Sequence, residues 1–97
     1  MIGKMAHTEK EVLLSKLEQA RKQVEVGAEY QHAKTGGRYI VTALAIKEDD
    51  EEIRVIYQAV GNETEIMWDR SLGGPSGWLA PVEIEGKKVA RFTKVSS

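Results

Sequence analysis

Cysteine is absent from the sequence, and this absence excludes disulfides, cysteine nucleophiles and zinc sites built on thiolates. Histidine occurs only at His7 and His32, and the spacing of the pair is not one that metal ligands typically have. No apolar run exceeds a few residues, so we expect no signal peptide, no membrane partner and a cytoplasmic location. The sequence therefore predicts neither a metal nor another cofactor.

A surplus of charge of one sign is also lacking. The 14 lysines and arginines nearly balance the 15 aspartates and glutamates, and the formal net charge is -1. Proteins that hold nucleic acid through its phosphates usually carry a basic excess. A nucleic-acid partner is therefore not favoured, although a local basic stripe would permit one.

What is present is the composition of an ordinary globular domain, with 41% hydrophobic and 30% charged residues. A chain of 97 residues has room for one domain. We therefore expect a single domain over residues 1–97, with a helix at residues 8–26 and a β-rich core at residues 28–95.

Residues 8–26 show the apolar period of an amphipathic helix. The apolar stripe consists of Leu13, Leu17, Ala20 and Val24. Thr8, with Glu11 three residues later, forms a capping-box pattern that predicts the start of the helix. Gly27 predicts its end, because glycine accepts the left-handed conformation that often closes a helix.

From residue 28 onward the apolar period shortens to two, which is typical of strands. The predicted strands lie at residues 29–32, 38–46, 53–60, 65–69, 78–84 and 89–92. Pro81 restricts the fifth of them to an edge strand or an extended segment. Short strands with turns at about ten-residue spacing favour a sandwich or barrel. We predict an α+β fold in which the N-terminal helix packs on a small, partly open SH3-like antiparallel β-barrel.

The strand at residues 38–46 is apolar on both faces, so we expect it at the centre of the sheet or around the barrel. Simple alternation places Tyr39, Val41, Ala43 and Ala45 on one face, and Ile40, Leu44 and Ile46 on the other. The acidic residues 48–52 predict a solvated hairpin turn, because they lack the ligand spacing of a calcium loop. Residues 73–77 predict an irregular glycine-rich loop without a phosphate-loop or nucleophile pattern.

The order and spacing of several short motifs resemble a bacterial family known as domain of unknown function 1653. The motifs are YQHAK at 30–34, GGRY at 36–39, VIYQA at 55–59, WDR at 68–70 and VEIEGKKVARF at 82–92. The resemblance covers about residues 27–95 and implies a small β-rich domain with no assigned activity. Two departures are Ser71, where the family usually has proline, and extra length at residues 73–77. If that loop borders a binding surface, we expect a ligand preference different from that of relatives.

His32 is the first candidate for chemistry, because Tyr30, His32 and Lys34 point to the same side of a strand. A histidine beside a lysine has a lowered pKa and can act as a base or bind an anion. The favoured alternative is a structural hydrogen bond near the Thr35-Gly36-Gly37 turn, with Lys34 solvated.

The aromatic residues form the second candidate set, and all of them lie in the β-rich part of the chain. They are Tyr30, Tyr39, Tyr57, Trp68, Trp78 and Phe92. We expect two or three of them to be core and Trp78, next to the glycine-rich loop, to be exposed. An exposed aromatic face can bind cationic groups, proline-rich segments or stacked bases.

Arg70 and Arg91, each close to an aromatic residue in sequence, form the third set. Arginine holds a carboxylate or a phosphate through two hydrogen bonds. The equally weighted alternative is that both pair with carboxylates, either in the acidic turn or at Glu63, Glu65 and Asp69.

The leading hypothesis is a non-enzymatic binding module for a peptide or protein segment, or for a small anionic ligand. The candidate surface comprises Tyr30, His32, Lys34, Tyr57, Trp68, Arg70, Trp78 and Arg91. One alternative is single-stranded nucleic-acid binding. The other is a small enzyme with His32 as general base and Arg70 or Arg91 stabilising an anion.

Overall fold

The computed structural model describes residues 9–61 and 65–96. The described residues form one helix, a five-stranded antiparallel sheet in the order β4-β3-β2-β1-β7, and a separate two-stranded sheet, β5-β6. The α+β prediction is confirmed. The elements are α1 (Lys10–Gln23), β1 (Glu29–His32), β2 (Arg38–Ile46), β3 (Ile53–Ala59), β4 (Trp68–Ser71), β5 (Val82–Ile84), β6 (Lys87–Val89) and β7 (Phe92–Ser96).

The five-stranded sheet is strongly curled but not closed. In a flat sheet, β3 and β7 would be about 14 Å apart, three strand spacings of about 4.8 Å each. Yet the rings of Tyr57 on β3 and Phe92 on β7 have centroids 5.8 Å apart. Within the described residues, β4 and β7 are not paired with each other. The predicted SH3-like barrel is therefore not confirmed.

The helix is shorter than predicted at its end. It ends at Gln23, and Val24 is extended and fully buried. The predicted stop at Gly27 is wrong, because the chain leaves the helix earlier to place Val24 in the core; the Gly27 N–H instead donates to the Val41 carbonyl at 2.8 Å. At the start, Glu9 is the N-cap without a side-chain bond, and the capping residue predicted, Thr8, lies outside the described residues.

Most strand positions follow the sequence pattern, and the errors cluster in the last third. β1 and β2 have the predicted bounds, whereas β4 starts three residues later than predicted. Residues 78–80 lie in turns because the Trp78 N–H donates to the Ser71 carbonyl at 2.7 Å, so that β5 begins only after Pro81. The predicted strand at 89–92 is wrong, since β6 ends at Val89 and β7 begins at Phe92.

A β-bulge in β2 overturns the predicted face assignment. Val41 pairs with Tyr57 and Leu44 pairs with Val55, and the register shifts between Val41 and Ala43. Because Val55 and Tyr57 are two residues apart and share a face, Val41 and Leu44 share it too. Leu44 therefore packs against the core, and Ala43 lies on the opposite face from Val41.

Two predicted turns are confirmed. Lys47 and Glu52 close the acidic hairpin through the Lys47 N–H, which donates to the Glu52 carbonyl at 2.9 Å. Glu85 and Gly86 connect β5 and β6 with φ values of +50° and +80°. Positive φ at both central residues is the requirement of a type I′ hairpin turn, which suits glycine at the second of them.

The core is built around Trp78, which contradicts the expectation that this residue is exposed. Trp78 is only 3% exposed; its ring is stacked on Phe92 at 3.7 Å between centroids and meets Tyr30 and Tyr57 edge-on. Four aromatics are buried, more than the two or three expected. The loop at 73–77 folds so tightly that a Cβ on Gly77 would lie 2.1 Å from the Gly73 carbonyl oxygen, and this turn directs Trp78 inward.

The two tryptophans give a matched test of this core. We expect Trp78→Ala to lower the free energy of unfolding by about 3–5 kcal/mol, because it deletes a buried aromatic ring. We expect Trp68→Ala, at a position that is 51% exposed, to change it by less than about 0.5 kcal/mol. Urea denaturation followed by far-ultraviolet circular dichroism measures both. Equal losses in the two variants would contradict the central position of Trp78.

Candidate functional site

A small cavity of about 140 Å³ opens on the inner face of the curled sheet. We call it the cationic cavity, and its lining residues are His32, Thr35, Tyr39, Tyr57, Arg70 and Phe92. Each of the five sheet strands contributes one of these side chains, and the turn after β1 contributes Thr35. Curling of the sheet is thus what brings the lining residues together.

His32 is held in place by the turn that follows it. The Thr35 N–H donates to His32 Nδ1 at 3.4 Å, the Thr35 hydroxyl lies 3.3 Å from the same nitrogen, and that hydroxyl accepts from the Gly37 N–H at 3.1 Å. The imidazole packs edge-on against Phe92, with centroids 5.0 Å apart. Since Nδ1 accepts a hydrogen bond, the neutral ring carries its proton on Nε2.

The electrostatic surroundings of His32 favour this neutral form. Burial lowers the pKa of His32 from its ordinary value of 6.5, and the positive charges of Arg70, Arg91 and Lys34 lower it further. The sequence alone suggested Lys34 as the cause of a lowered pKa, and Lys34 is the smallest of the causes found. At neutral pH His32 therefore offers the cavity a neutral hydrogen-bond donor.

Arg70 is the most unusual residue of the cavity. Its Nη1 donates to the Ser76 carbonyl at 2.6 Å, and its guanidinium carbon lies 5.8 Å from the centroid of the Phe92 ring. Its Nε is buried and has no hydrogen-bond partner within the described residues. An unpaired buried donor costs about 1–3 kcal/mol, and more when charged, and an acceptor bound to this nitrogen would remove that cost.

Neither candidate arginine is neutralised by a carboxylate within the residues that the structure describes. Arg91 Nε donates to the Ala80 carbonyl at 3.1 Å, and Asp69 is taken by Arg54 at 2.6 Å. The alternative in which Arg70 and Arg91 form ion pairs is thus not what the described residues show, although one proposed partner, Glu63, lies outside them.

The other predicted site residues are divided between the core and the rim. Tyr30 and Trp78 are buried beneath the cavity, and Lys34 is exposed in the turn after β1. Trp68 is 51% exposed and pairs in register with Tyr57, so its side chain stands beside the cavity wall on the same face of the sheet. His32, Tyr57 and Arg70 are the predicted residues that line the cavity itself.

Three lining residues were missed by sequence reasoning as site residues: Thr35, Tyr39 and Phe92. Tyr39 could have been found from the sequence, because the hairpin turn at residues 33–37 places it directly opposite Tyr30, which was a predicted site residue. No sequence pattern indicates Phe92 as a site residue, since its approach to Tyr57 arises only from curling of the sheet.

Two larger depressions of the surface are less suited to an anionic ligand. One, of about 530 Å³, lies on the charged turn at Lys47, Glu48 and Asp49. The other, of about 450 Å³, lies between the end of α1 and β7, where Lys94 pairs with Glu25 at 2.6 Å. Both contain carboxylates that oppose an anion, whereas the cationic cavity is lined by none.

The described part of the chain contains neither a metal-binding cluster of side chains nor a membrane-spanning helix. No three histidine, aspartate or glutamate side chains gather there in a way that could hold a metal ion. No helix in residues 9–61 or 65–96 is long and apolar enough to cross a membrane.

Comparison with known families gives one match, over residues 28–94, to a protein of unknown function designated DUF1653. The chain belongs to the DUF1653 family. The resemblance noted from the sequence motifs is thereby confirmed. No curated protein and no solved structure matched the chain. The DUF1653 match includes every residue that lines the cationic cavity and excludes α1.

The lowered pKa of His32 is directly measurable. We expect the imidazole carbon-bound protons of His32 to titrate below pH 6.5. Arg70→Gln removes one of the charges that lower this pKa and should move it part of the way back. Arg38→Gln is the control, because Arg38 pairs with Glu29 and lies outside the cavity. A titration at or above 6.5, or equal effects of the two variants, would contradict the described surroundings.

The same shift sets a dependence of stability on pH. The folded pKa lies below the unfolded value, so the folded protein binds this proton less readily than the unfolded chain. The contribution of His32 to stability is thus complete above pH 6.5 and falls as the pH drops from there through the lowered pKa. His32→Gln should lack this component of the pH profile measured by urea denaturation.

Proposed function

We propose that this protein is a non-enzymatic binding module whose cationic cavity takes the anionic group of a peptide or protein segment, or of a small ligand. The observation that carries the proposal is the buried, unpaired Nε of Arg70, in a cavity that also holds His32. A native buried donor without a partner calls for an explanation, and a bound anion supplies one.

The geometry of Arg70 suits a planar anion. Nη1 is occupied by the Ser76 carbonyl, whereas Nε and Nη2, which share one edge of the guanidinium, make no hydrogen bond within the described residues. Such an edge binds the two oxygens of a carboxylate, or two oxygens of a phosphate, in parallel. The apolar ring of Phe92 on one side lowers the local polarity and strengthens this interaction.

Size limits the part of the ligand that the cavity admits. A cavity of about 150 Å³ holds a molecule the size of benzene. The cationic cavity has about 140 Å³, well below the range of roughly 300–1,000 Å³ typical for whole drug-sized ligands. It therefore takes one anionic group with a short attachment, and the remainder of a larger ligand would lie outside.

Binding fits the orientation of His32 better than catalysis does. A general base needs a free lone pair within reach of the substrate. The lone pair of His32 Nδ1 faces the Thr35 N–H, so the ring offers a donor instead. The alternative of a His-based enzyme is therefore less well supported.

Nucleic-acid binding has weaker support as well. Single-strand binding needs several exposed aromatic rings along a basic groove. Tyr30, Tyr57, Trp78 and Phe92 are buried, and Trp68 is the one strongly exposed aromatic residue of the described chain. Among the described residues, Trp68 is thus the one strongly exposed ring on which a base could stack.

The proposal can be tested by NMR titration of ¹⁵N-labelled protein with acetate, benzoate and phosphate at constant ionic strength. We expect at least one anion to shift the Arg70 Nε–H signal together with the amides of His32 and Gly37. Arg70→Gln should weaken that binding at least about tenfold, because a hydrogen bond to a charged group contributes roughly 1.5–3 kcal/mol.

The control is Arg38→Gln, which removes a positive charge outside the cavity and should leave the affinity within about twofold. The proposal is overturned if none of the three anions shifts the cavity signals, or if Arg38→Gln weakens binding as much as Arg70→Gln does.

A further inference from the structure

Exposed apolar side chains lie at and just before the start of β4, beside the cationic cavity. Trp68 is 51% exposed, and Ile66 and Met67, directly before it, are 43% and 50% exposed. Trp68 pairs with Tyr57, which lines the cavity, and both side chains lie on the inner face of the sheet. The cavity thus has an apolar shelf at its rim on the β4 side.

The spacing between this shelf and the cationic group matches an extended peptide. Trp68 and Arg70 are two residues apart on β4 and point to the same face. Two residues of a strand span about 6.8 Å, which is also the span of two residues of an extended ligand. A ligand anion at Arg70 therefore leaves the residue two positions away at the level of the Trp68 ring.

We propose that the cationic cavity recognises the free C-terminal carboxylate of a partner polypeptide. The carboxylate binds the Nε/Nη2 edge of Arg70, and the last side chain contacts the walls formed by Tyr39, Tyr57 and Phe92. An apolar residue two positions before it packs on Trp68. This inference rests on the proposed function and names the ligand class for the same cavity.

A chain terminus fits the cavity better than other sources of negative charge. A C-terminal residue presents a planar carboxylate and a side chain on one carbon atom, and the cavity combines one guanidinium edge with three aromatic walls. An aspartate or glutamate inside a chain can place its carboxylate in the cavity, but it brings no second side chain on the same carbon atom to the aromatic walls. A phosphate monoester has three free oxygens, one more than the guanidinium edge of Arg70 binds, whereas that edge binds both oxygens of a carboxylate.

The test compares two pools of pentapeptides that differ only at the end. Each has the form Gly-Ser followed by three residues drawn from leucine, isoleucine, valine and phenylalanine, with a fluorophore at the amino end. One pool has a free C-terminal acid and the other a C-terminal amide. By fluorescence anisotropy, we expect the acid pool to bind at least about tenfold tighter, the value of one charge-assisted interaction.

Variants assign the two parts of the proposed contact. Arg70→Gln should abolish the difference between the acid and amide pools. Trp68→Ala should weaken binding of the acid pool several-fold while leaving the NMR affinity for acetate unchanged. Leu14→Ala, at a helix position that is 50% exposed like Trp68, is the matched control and should change neither.

The outcomes separate this inference from the proposed function. If acetate or benzoate binds in the cavity but the acid and amide pools bind equally, the C-terminal ligand is wrong and the anion-binding module stands. If no small anion binds, both are wrong. A phosphoserine peptide with a C-terminal amide that binds more tightly than the acid pool would also overturn the C-terminal assignment.

Discussion

Trp78 lies flat on Phe92, with the ring planes 7° from parallel, and this contact connects the parts of the molecule that matter for the cavity. Phe92 belongs to β7 at one edge of the sheet, and Trp78 belongs to the loop that follows β4 at the other edge. Their stacking holds the sheet curled. The same loop carries the Ser76 carbonyl that fixes Arg70 Nη1, so packing of the core also orients the guanidinium.

The cavity contains polar and charged groups that the described residues do not pair. Arg70 keeps an unpaired buried Nε, and His32 has a pKa lowered by burial and by nearby arginines without a carboxylate in the lining to compensate. Other cations form ion pairs, as Arg54 does with Asp69 and Lys94 with Glu25. Such local departures from satisfied packing are typical of binding sites, where a ligand supplies the missing partner.

Local patterns in the sequence predict those parts of the fold that local physics decides. The bounds of β1 and β2 and the turn at Glu85 and Gly86 are decided by neighbouring residues, and they are confirmed. The bulge after Val41, the burial of Trp78 and the position of Phe92 depend on contacts between distant segments. His32, Tyr57 and Arg70 could be selected by residue type, but the unpaired Nε that distinguishes Arg70 is visible only in three dimensions.

The most direct test of the account is a crystal structure of the protein grown with benzoate, whose ring and carboxylate match the walls and the charge of the cavity. The account predicts the two carboxylate oxygens about 2.8 Å from Arg70 Nε and Nη2, with the benzoate ring against Tyr39, Tyr57 and Phe92. A cavity without benzoate, or an Arg70 whose Nε and Nη2 bind a carboxylate of the protein itself, would contradict it.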